Sequence, residues 1–315
     1  MRKVLFIDDT HPVLKNGLTA LGFTCDEMTT AGRRQIEERI SGYEGIVIRS
    51  RLAIDKELLQ KAVRLKFIAR AGAGLENIDT GFARSRGIRV FSAPEGNRNA
   101  VGEHTLGLLL ALLNRIPAAD KEVKSGQWRR EENRGEELDG KTAGIIGYGN
   151  MGKAFARKLA GFDLDVICYD IKDGVGDDHA RQVTLEEFFE SADIVSLHVP
   201  ITPDTFHMVN AAFIRSFHKK FYLINTARGE VVHTGDLVDA LKSGAVKGAA
   251  LDVLEYEKKS FENFFDRPEM PEDFDYLVHS SRVILTPHIA GWTVESKERI
   301  AAVLLKKIQE YYLMR

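Results

Sequence analysis

Gly147, Gly149 and Gly152 fall in the pattern G-x-G-x-x-G at the end of an apolar run, residues 143–146. The first glycine of such a pattern permits a tight turn out of a strand. The second lets backbone approach a pyrophosphate, and the third lets the following helix pack closely on the strand. The helix N-terminus, at Asn150 and Met151, then aims N–H groups at the phosphates. The next apolar run, residues 166–169, ends in Asp170, which is 170 − 152 = 18 positions past the third glycine. That is close to the ~20 expected of an acid that accepts hydrogen bonds from ribose hydroxyls. A carboxylate there repels a 2′-phosphate, so the pattern predicts NAD rather than NADP. A kinase-type phosphate loop is disfavoured, because no Lys-Ser/Thr pair follows the last glycine.

Three later segments place ionisable groups after apolar runs. Arg228 lies in Asn225-Thr226-Ala227-Arg228-Gly229, Asp252 and Glu257 follow residues 249–251, and His288 follows Pro287. Alone, each reads equally well as a surface turn, a strand-end cap or a satisfied loop residue. Together they supply what hydride transfer to a 2-keto acid requires. A planar guanidinium fork matches a carboxylate. An imidazole can protonate a carbonyl oxygen as it becomes an alkoxide, and a carboxylate can hold that imidazole in one tautomer. His104, on a long apolar stretch, reads as a packed helix residue. No His/Cys/Asp/Glu set has metal-ligand spacing, so the expected metal complement is none.

Five ordered motifs resemble the D-isomer-specific 2-hydroxyacid dehydrogenase family: the glycine fingerprint, His198-Val199-Pro200-Ile201-Thr202, Asn225-x-x-Arg228-Gly229, Ala250-x-Asp252-Val253 with Glu257, and Pro287-His288-x-x-Gly291. Residues 70–74 also resemble the family's substrate loop, so the likeness spans essentially the whole chain. The resemblance implies catalytic roles for Arg228 (substrate carboxylate and keto oxygen), His288 (acid for reduction, base for oxidation) and Glu257 (partner of His288). Glu255 competes with Glu257, but the family's usual Arg-to-Glu spacing of 29 matches 257 − 228 = 29. Asp252 would hold the nicotinamide carboxamide. His198, Pro200, Thr205, Thr226, Ala227 and Gly291 would line the cleft of the NAD cofactor. An acid rather than Gln at position 257 disfavours the sister formate dehydrogenase activity.

The substrate is expected from the first domain. Backbone N–H groups of Ala71, Gly72, Ala73 and Gly74 would bind its carboxylate, as in the family. Arg49, Arg70 and Arg130 match arginines that meet the phosphate end in the family's phosphoglycerate dehydrogenase branch, which leads into serine biosynthesis. That branch implies D-3-phosphoglycerate as substrate. A glyoxylate or hydroxypyruvate reductase is the alternative, and an NAD(H)-sensing protein-binding module is the non-enzymatic one. Glu76, where the family usually has Asp, departs from the pattern. The stretch 255–287 is longer than usual, and its acidic part, residues 255–281, reads as a surface loop. No regulatory domain is expected after the final helix.

Positioning such groups takes parallel sheets. Apolar runs at residues 4–7, 46–48, 66–69 and 88–91, then 143–146, 166–169, 194–197, 222–224, 248–251 and 283–285, alternate with amphipathic stretches, which predicts α/β units. The expected fold is α/β with two domains. A Rossmann-type doubly wound sheet (98–286) is inserted into a smaller flavodoxin-like α/β substrate domain (1–97 plus 287–315). A turn is expected at 93–97, a long apolar helix over 100–115, and a returning helix over 294–314. Hinges are expected near 94–97 and 286–291. The long helix suggests a homodimer, as the family implies.

Composition agrees with this class. The chain has 315 residues, 44% apolar and 29% charged, with a net charge of −2, so no basic field favours nucleic acid or an anionic membrane. Two cysteines, Cys25 and Cys168, make no disulfide framework. The N-terminus does not read as a signal peptide and no apolar run reaches membrane-spanning length. The expected setting is cytoplasmic.

Overall fold

The computed structural model describes residues 2–257 and 271–314. Contacts divide it into two units. One runs up to Arg98 and resumes at Trp292, and the other runs from Asn99 to Glu257 and on to Gly291. The second crossing therefore falls after residue 291, later than the 287 read from the sequence. The amides of Ile289 and Ala290 are hydrogen-bonded to Asp252 of the second unit.

The first unit carries five parallel strands: β1 (Arg2–Phe6), β2 (Phe23–Glu27), β3 (Gly45–Ile48), β4 (Phe67–Arg70) and β5 (Arg89–Phe91). Their order, β2-β1-β3-β4-β5, is the flavodoxin-like one. The second unit carries β6 (Thr142–Ile146), β7 (Asp165–Tyr169), β8 (Arg181–Gln182), β9 (Ile194–Leu197), β10 (Phe221–Asn225), β11 (Val246–Leu251) and β12 (Val283–Leu285). They are parallel throughout, in the order β12-β11-β10-β9-β6-β7-β8. The chain reverses direction across the sheet between β6 and β9. In such doubly wound sheets ligands bind outside the carboxyl ends of the strands at this point. Central strands are buried along their whole length, as in β3 and β9, which is why they read as unbroken apolar runs.

Two edge strands escaped that reading. Only Phe23 of β2 is fully buried, and β8 has two residues, so neither presents an apolar run. The long helix spans Pro94–Leu113, so residues 94–97 form its first turn and not the expected connecting turn. Proline is well suited there, since its fixed φ is helical and its missing N–H has no partner in the first turn. The stretch from 255 contains a helix, Glu272–His279, that buries Phe274 and Leu277. Its first turn holds Glu272, Asp273 and Asp275, favourably placed at the positive end of the helix dipole. The part of the expected loop over 258–270 lies outside the described residues. Among the described residues no helix is long and apolar enough to cross a membrane.

The last helix, Val294–Leu313, starts from a reciprocal cap between Thr293 and Ser296. Its Ala301, Leu304 and Ile308 join Leu14 and Leu18 of the Pro12–Ala20 helix against β1 and β4. Replacing the fully buried Leu304 by alanine is expected to cost about 2–5 kcal/mol, measured as a lower urea midpoint with an unchanged slope.

Candidate active site

The glycine turn leaves β6 at Ile146. Gly147 has φ 88°, and a Cβ there would lie 2.6 Å from the His198 carbonyl oxygen. A Cβ on Gly152 would run into the Gly147 carbonyl, whereas one on Gly149 would meet nothing within 4 Å. The three glycines thus serve a left-handed turn, an open approach and a close helix contact, the division a pyrophosphate needs. Asn150 and Met151 open the helix Asn150–Leu159 beside it. Asp170, after β7, accepts hydrogen bonds from the Tyr148 amide at 2.8 Å and the Lys172 amide at 3.0 Å, one per oxygen. Each oxygen retains a further acceptor position, so the donor and acceptor set fits a dinucleotide. From below, the Tyr148 hydroxyl donates to Asp177 at 2.7 Å. Burial alone would raise the Asp177 pKa, but hydrogen bonds from Tyr148, the His179 amide and Lys153 hold it at about 2.

His198 follows β9. Its amide donates to Ile146 O at 2.8 Å, its Nε2 lies 2.9 Å from Ser196 Oγ, and burial drives its pKa down to about 3. Pro200 is exposed on the same loop. The Thr205 hydroxyl donates to Pro200 O at 2.7 Å and accepts from the Thr202 amide at 2.8 Å, so it closes its own loop.

Arg228, Asp252 with Glu257, and His288 leave the carboxyl ends of β10, β11 and β12, which are neighbours in register: Asn225 opposite Leu251, and Leu251 opposite Leu285. Adjacent strands stand about 4.8 Å apart, so the three loops start side by side. The Asn225 side chain fixes the first, its Oδ1 accepting from the Ala227 amide at 3.0 Å and its Nδ2 donating to Arg228 O at 2.9 Å. Gly229 presses against the Leu254 backbone so closely that a Cβ would collide with it. Glu257 Oε2 lies 3.0 Å from His288 Nδ1. Glu255 instead meets His207 Nε2 at 2.7 Å and the Thr234 amide at 2.9 Å. His288 has φ 54°, a left-handed conformation that costs a non-glycine residue of order 1–3 kcal/mol. Its amide is held by Asp252 O at 2.8 Å.

Asp252 is 1% exposed. Its Oδ1 accepts from the Thr286 hydroxyl at 2.6 Å and the Ile289 amide at 2.9 Å, and its Oδ2 from the Ala290 amide at 2.9 Å. Burial would raise its pKa, but these bonds and one from His104 lower it. The acceptor positions of this carboxylate are therefore taken up within the protein, and it braces the His288 loop, a role that motif spacing did not reveal. His104, read as a packed helix residue, lies half-buried on the Pro94–Leu113 helix, and its Nε2 reaches Asp252 Oδ1 at 3.5 Å, a contact the apolar pattern did not reveal. Gly291 is half-buried at the end of this unit.

In the first unit, the Arg49 guanidinium stacks 4.0 Å from the centroid of the Trp292 ring. Among the described residues no protein acceptor takes a hydrogen bond from it. Arg51 differs, since its guanidinium is taken up by Asp8 and the carbonyls of Ala31, Ile7 and Met28. Arg70 ends β4 and its side chain lies over Gly72. The amides of Ala71 and Gly72 already donate to Ile48 O and Arg70 O, at 2.7 and 2.8 Å, which narrows the expected amide cradle to Ala73 and Gly74. Arg130 is exposed in the second unit, after the helix Ile116–Lys124.

Residues 106–290 match the model of the D-isomer specific 2-hydroxyacid dehydrogenase NAD binding domain. The chain belongs to the D-isomer-specific 2-hydroxyacid dehydrogenase family. It is 35% identical over 297 residues to the D-3-phosphoglycerate dehydrogenase of Archaeoglobus fulgidus, covering 93% of this chain and 53% of that one. The chain thus spans about half the length of that relative. It is 36% identical over 313 residues to the glyoxylate reductase of Thermofilum pendens, covering 95% of this chain and 89% of that one. The D-lactate dehydrogenase of Aquifex aeolicus, solved with NAD and lactic acid, superposes with a TM-score of 0.83 at 29% identity, covering 99% of this chain and 95% of that one.

Two outcomes follow for this family member. Gly149→Ala, whose methyl enters open space, is expected to weaken NADH binding at least about tenfold, at most a small fraction of the stability of the fold; titration of NADH fluorescence and a thermal melt read the two effects. His198 has a folded pKa below its unfolded value of about 6.5, so the unfolded state takes up the proton first. Its contribution is complete above pH 6.5 and declines as the pH falls toward 3. His198→Gln is expected to reduce the loss of stability between pH 7 and 5 by about 1–2 kcal/mol, measured by denaturation without coenzyme.

Proposed function

We propose that this chain is an NAD-dependent oxidoreductase that moves a hydride between nicotinamide and C2 of a D-2-hydroxy or 2-keto acid, with D-3-phosphoglycerate as its substrate. The observation that carries the reaction type is the 3.0 Å pair of His288 and Glu257, set beside the Arg228 loop on adjacent strand ends. We assign the unit that runs up to Arg98 and resumes at Trp292 as the substrate domain, and the unit from Asn99 to Glu257 and on to Gly291 as the coenzyme domain.

Gly147, Gly149, Gly152 and the helix start at Asn150 and Met151 hold the pyrophosphate in this reading, and Asp170 the ribose. The loops of His198, Pro200, Thr226, Ala227, Asp252 and Gly291 enclose the rest. When bound, the nicotinamide supplies or accepts the hydride. Arg228 binds the substrate carboxylate through its planar fork and polarises the keto oxygen. A carboxylate only accepts, so His288 carries a hydrogen on Nδ1 toward Glu257, and Nε2 is the atom assigned to the substrate in this reading. In reduction Nε2–H gives its proton to the alkoxide oxygen. In oxidation neutral Nε2 takes the hydroxyl proton, and Glu257 stabilises the resulting imidazolium. In this reading the Ala73 and Gly74 amides join Arg228 on the carboxylate, and Arg49, Arg70 and Arg130 serve the phosphate end of the substrate.

The phosphate assignment is supported by Arg49, whose charge burial disfavours, with Asp8 and Asp9 opposing that effect. Such a guanidinium is well matched to a dianionic phosphate. A second reading, reduction of glyoxylate or hydroxypyruvate, is favoured by Arg51, which is fully engaged and leaves fewer cations for a phosphate. Exposed Ile116, Val123 and Trp128 support a homodimer through this segment.

His288→Ala is expected to lower kcat about 10²–10⁴-fold while NADH affinity holds. Full turnover in that variant would end the acid–base assignment. Initial rates with phosphohydroxypyruvate, hydroxypyruvate, glyoxylate and pyruvate, each with NADH and NADPH, test the substrate. The phosphate reading fails if the phosphorylated acid has no advantage in kcat/KM and Arg70→Ala leaves that ratio unchanged.

A further inference from the structure

The Pro94–Leu113 helix enters the second unit at Asn99 and puts two neighbouring polar side chains against two different loops. His104 Nε2 lies 3.2 Å from Thr286 Oγ1 and 3.5 Å from Asp252 Oδ1. The Thr105 hydroxyl, fully buried, lies 3.2 Å from Thr226 Oγ1. Thr286 stands two residues before His288, and Thr226 two residues before Arg228.

The direction of each bond follows from counting hydrogens. Asp252 is an acceptor only, so the single hydroxyl hydrogen of Thr286 points to Asp252 Oδ1 at 2.6 Å. His104 must then carry its hydrogen on Nε2 and donate to the lone pairs of Thr286 and Asp252. Thr105 gives its hydrogen to Val101 O at 2.7 Å, so Thr226 donates to Thr105. The helix therefore donates to the imidazole loop and accepts from the guanidinium loop, from consecutive residues.

We infer that His104 and Thr105 are positioning residues that set the separation between Arg228 and His288. This rests on the roles proposed for those two side chains. Neither residue belongs to the strand-end loops, and a helix packed against the sheet is stiffer than either loop. It gives both loops one common reference. A misplacement of about 1 Å between groups that must act together costs about 10²-fold in rate, so the brace has room for a measurable effect.

The two halves of the brace have separable consequences. His104→Leu removes the donor to the imidazole loop and is expected to lower kcat about 10- to 100-fold with KM and NADH affinity little changed. Thr105→Val, nearly isosteric, loosens the carboxylate-binding loop and is expected to raise KM for the keto acid more than it lowers kcat. His104→Gln keeps an N–H donor of similar reach and is expected to recover most of the His104→Leu loss. Steady-state kinetics, NADH fluorescence titration and thermal melts on all three read these outcomes. The inference is overturned if His104→Leu retains wild-type kcat, if His104→Gln is as impaired as His104→Leu, or if both loop effects fall equally on kcat and NADH affinity. Arg228→Ala and His288→Ala serve as controls. Undiminished turnover in those two would show that the underlying site reading failed, whatever the helix variants do.

Discussion

A carboxylate removed from water loses several kcal/mol of hydration, and the structure tolerates it only when donors replace the water. Asp252 meets that condition by drawing four of them from one short stretch and one helix: the Thr286 hydroxyl, the Ile289 and Ala290 amides, and His104. The same bonds fix residues 286–290, and so hold His288 in a left-handed conformation that it would rarely adopt alone. Charge-assisted bonds of this kind are roughly twice as strong as neutral ones, which offsets the backbone strain. The Glu257–His288 pair depends on this arrangement, because an imidazole free to swing would not stay within 3.0 Å of its partner.

The sheet supplies the second constraint. Three loops with unrelated sequences become neighbours because β10, β11 and β12 are adjacent and in register. A guanidinium, a carboxylate and an imidazole, separated by up to 60 positions (288 − 228 = 60), are thereby brought to one edge. Gly229 tightens the first two loops against each other, since only a residue without a side chain fits against the Leu254 backbone. On the far side of the switch between β9 and β6, the glycine turn presents the corresponding opening for a dinucleotide.

Much of this was legible before the structure. Central strands read as apolar runs because both of their faces are buried, and the glycine fingerprint reads because each glycine answers a distinct steric demand. Strands β2 and β8 did not read, since β2 is mostly polar with only Phe23 buried and β8 has just two polar residues. The helix Glu272–His279 was hidden by its acidic first turn, which resembles a loop in composition. The 3.0 Å pair leaves Glu255 to His207 and Thr234, a choice that spacing alone could only favour.

The sequence by itself determined the chemical inventory: a glycine turn of the dinucleotide-binding pattern, an acid at the end of the next strand, and a guanidinium, a carboxylate and an imidazole after three later strands. Those properties are local, fixed by residue type and by spacing within a few turns of chain. Tertiary structure alone decided which polar groups are occupied by the fold itself. It committed Arg51, the amides of Ala71 and Gly72, and most of Asp252 to internal hydrogen bonds, and it turned His104 toward the His288 loop. Hydrogen-bonding capacity is saturated by neighbours in space, and those neighbours lie too far apart in sequence for any local pattern to announce them.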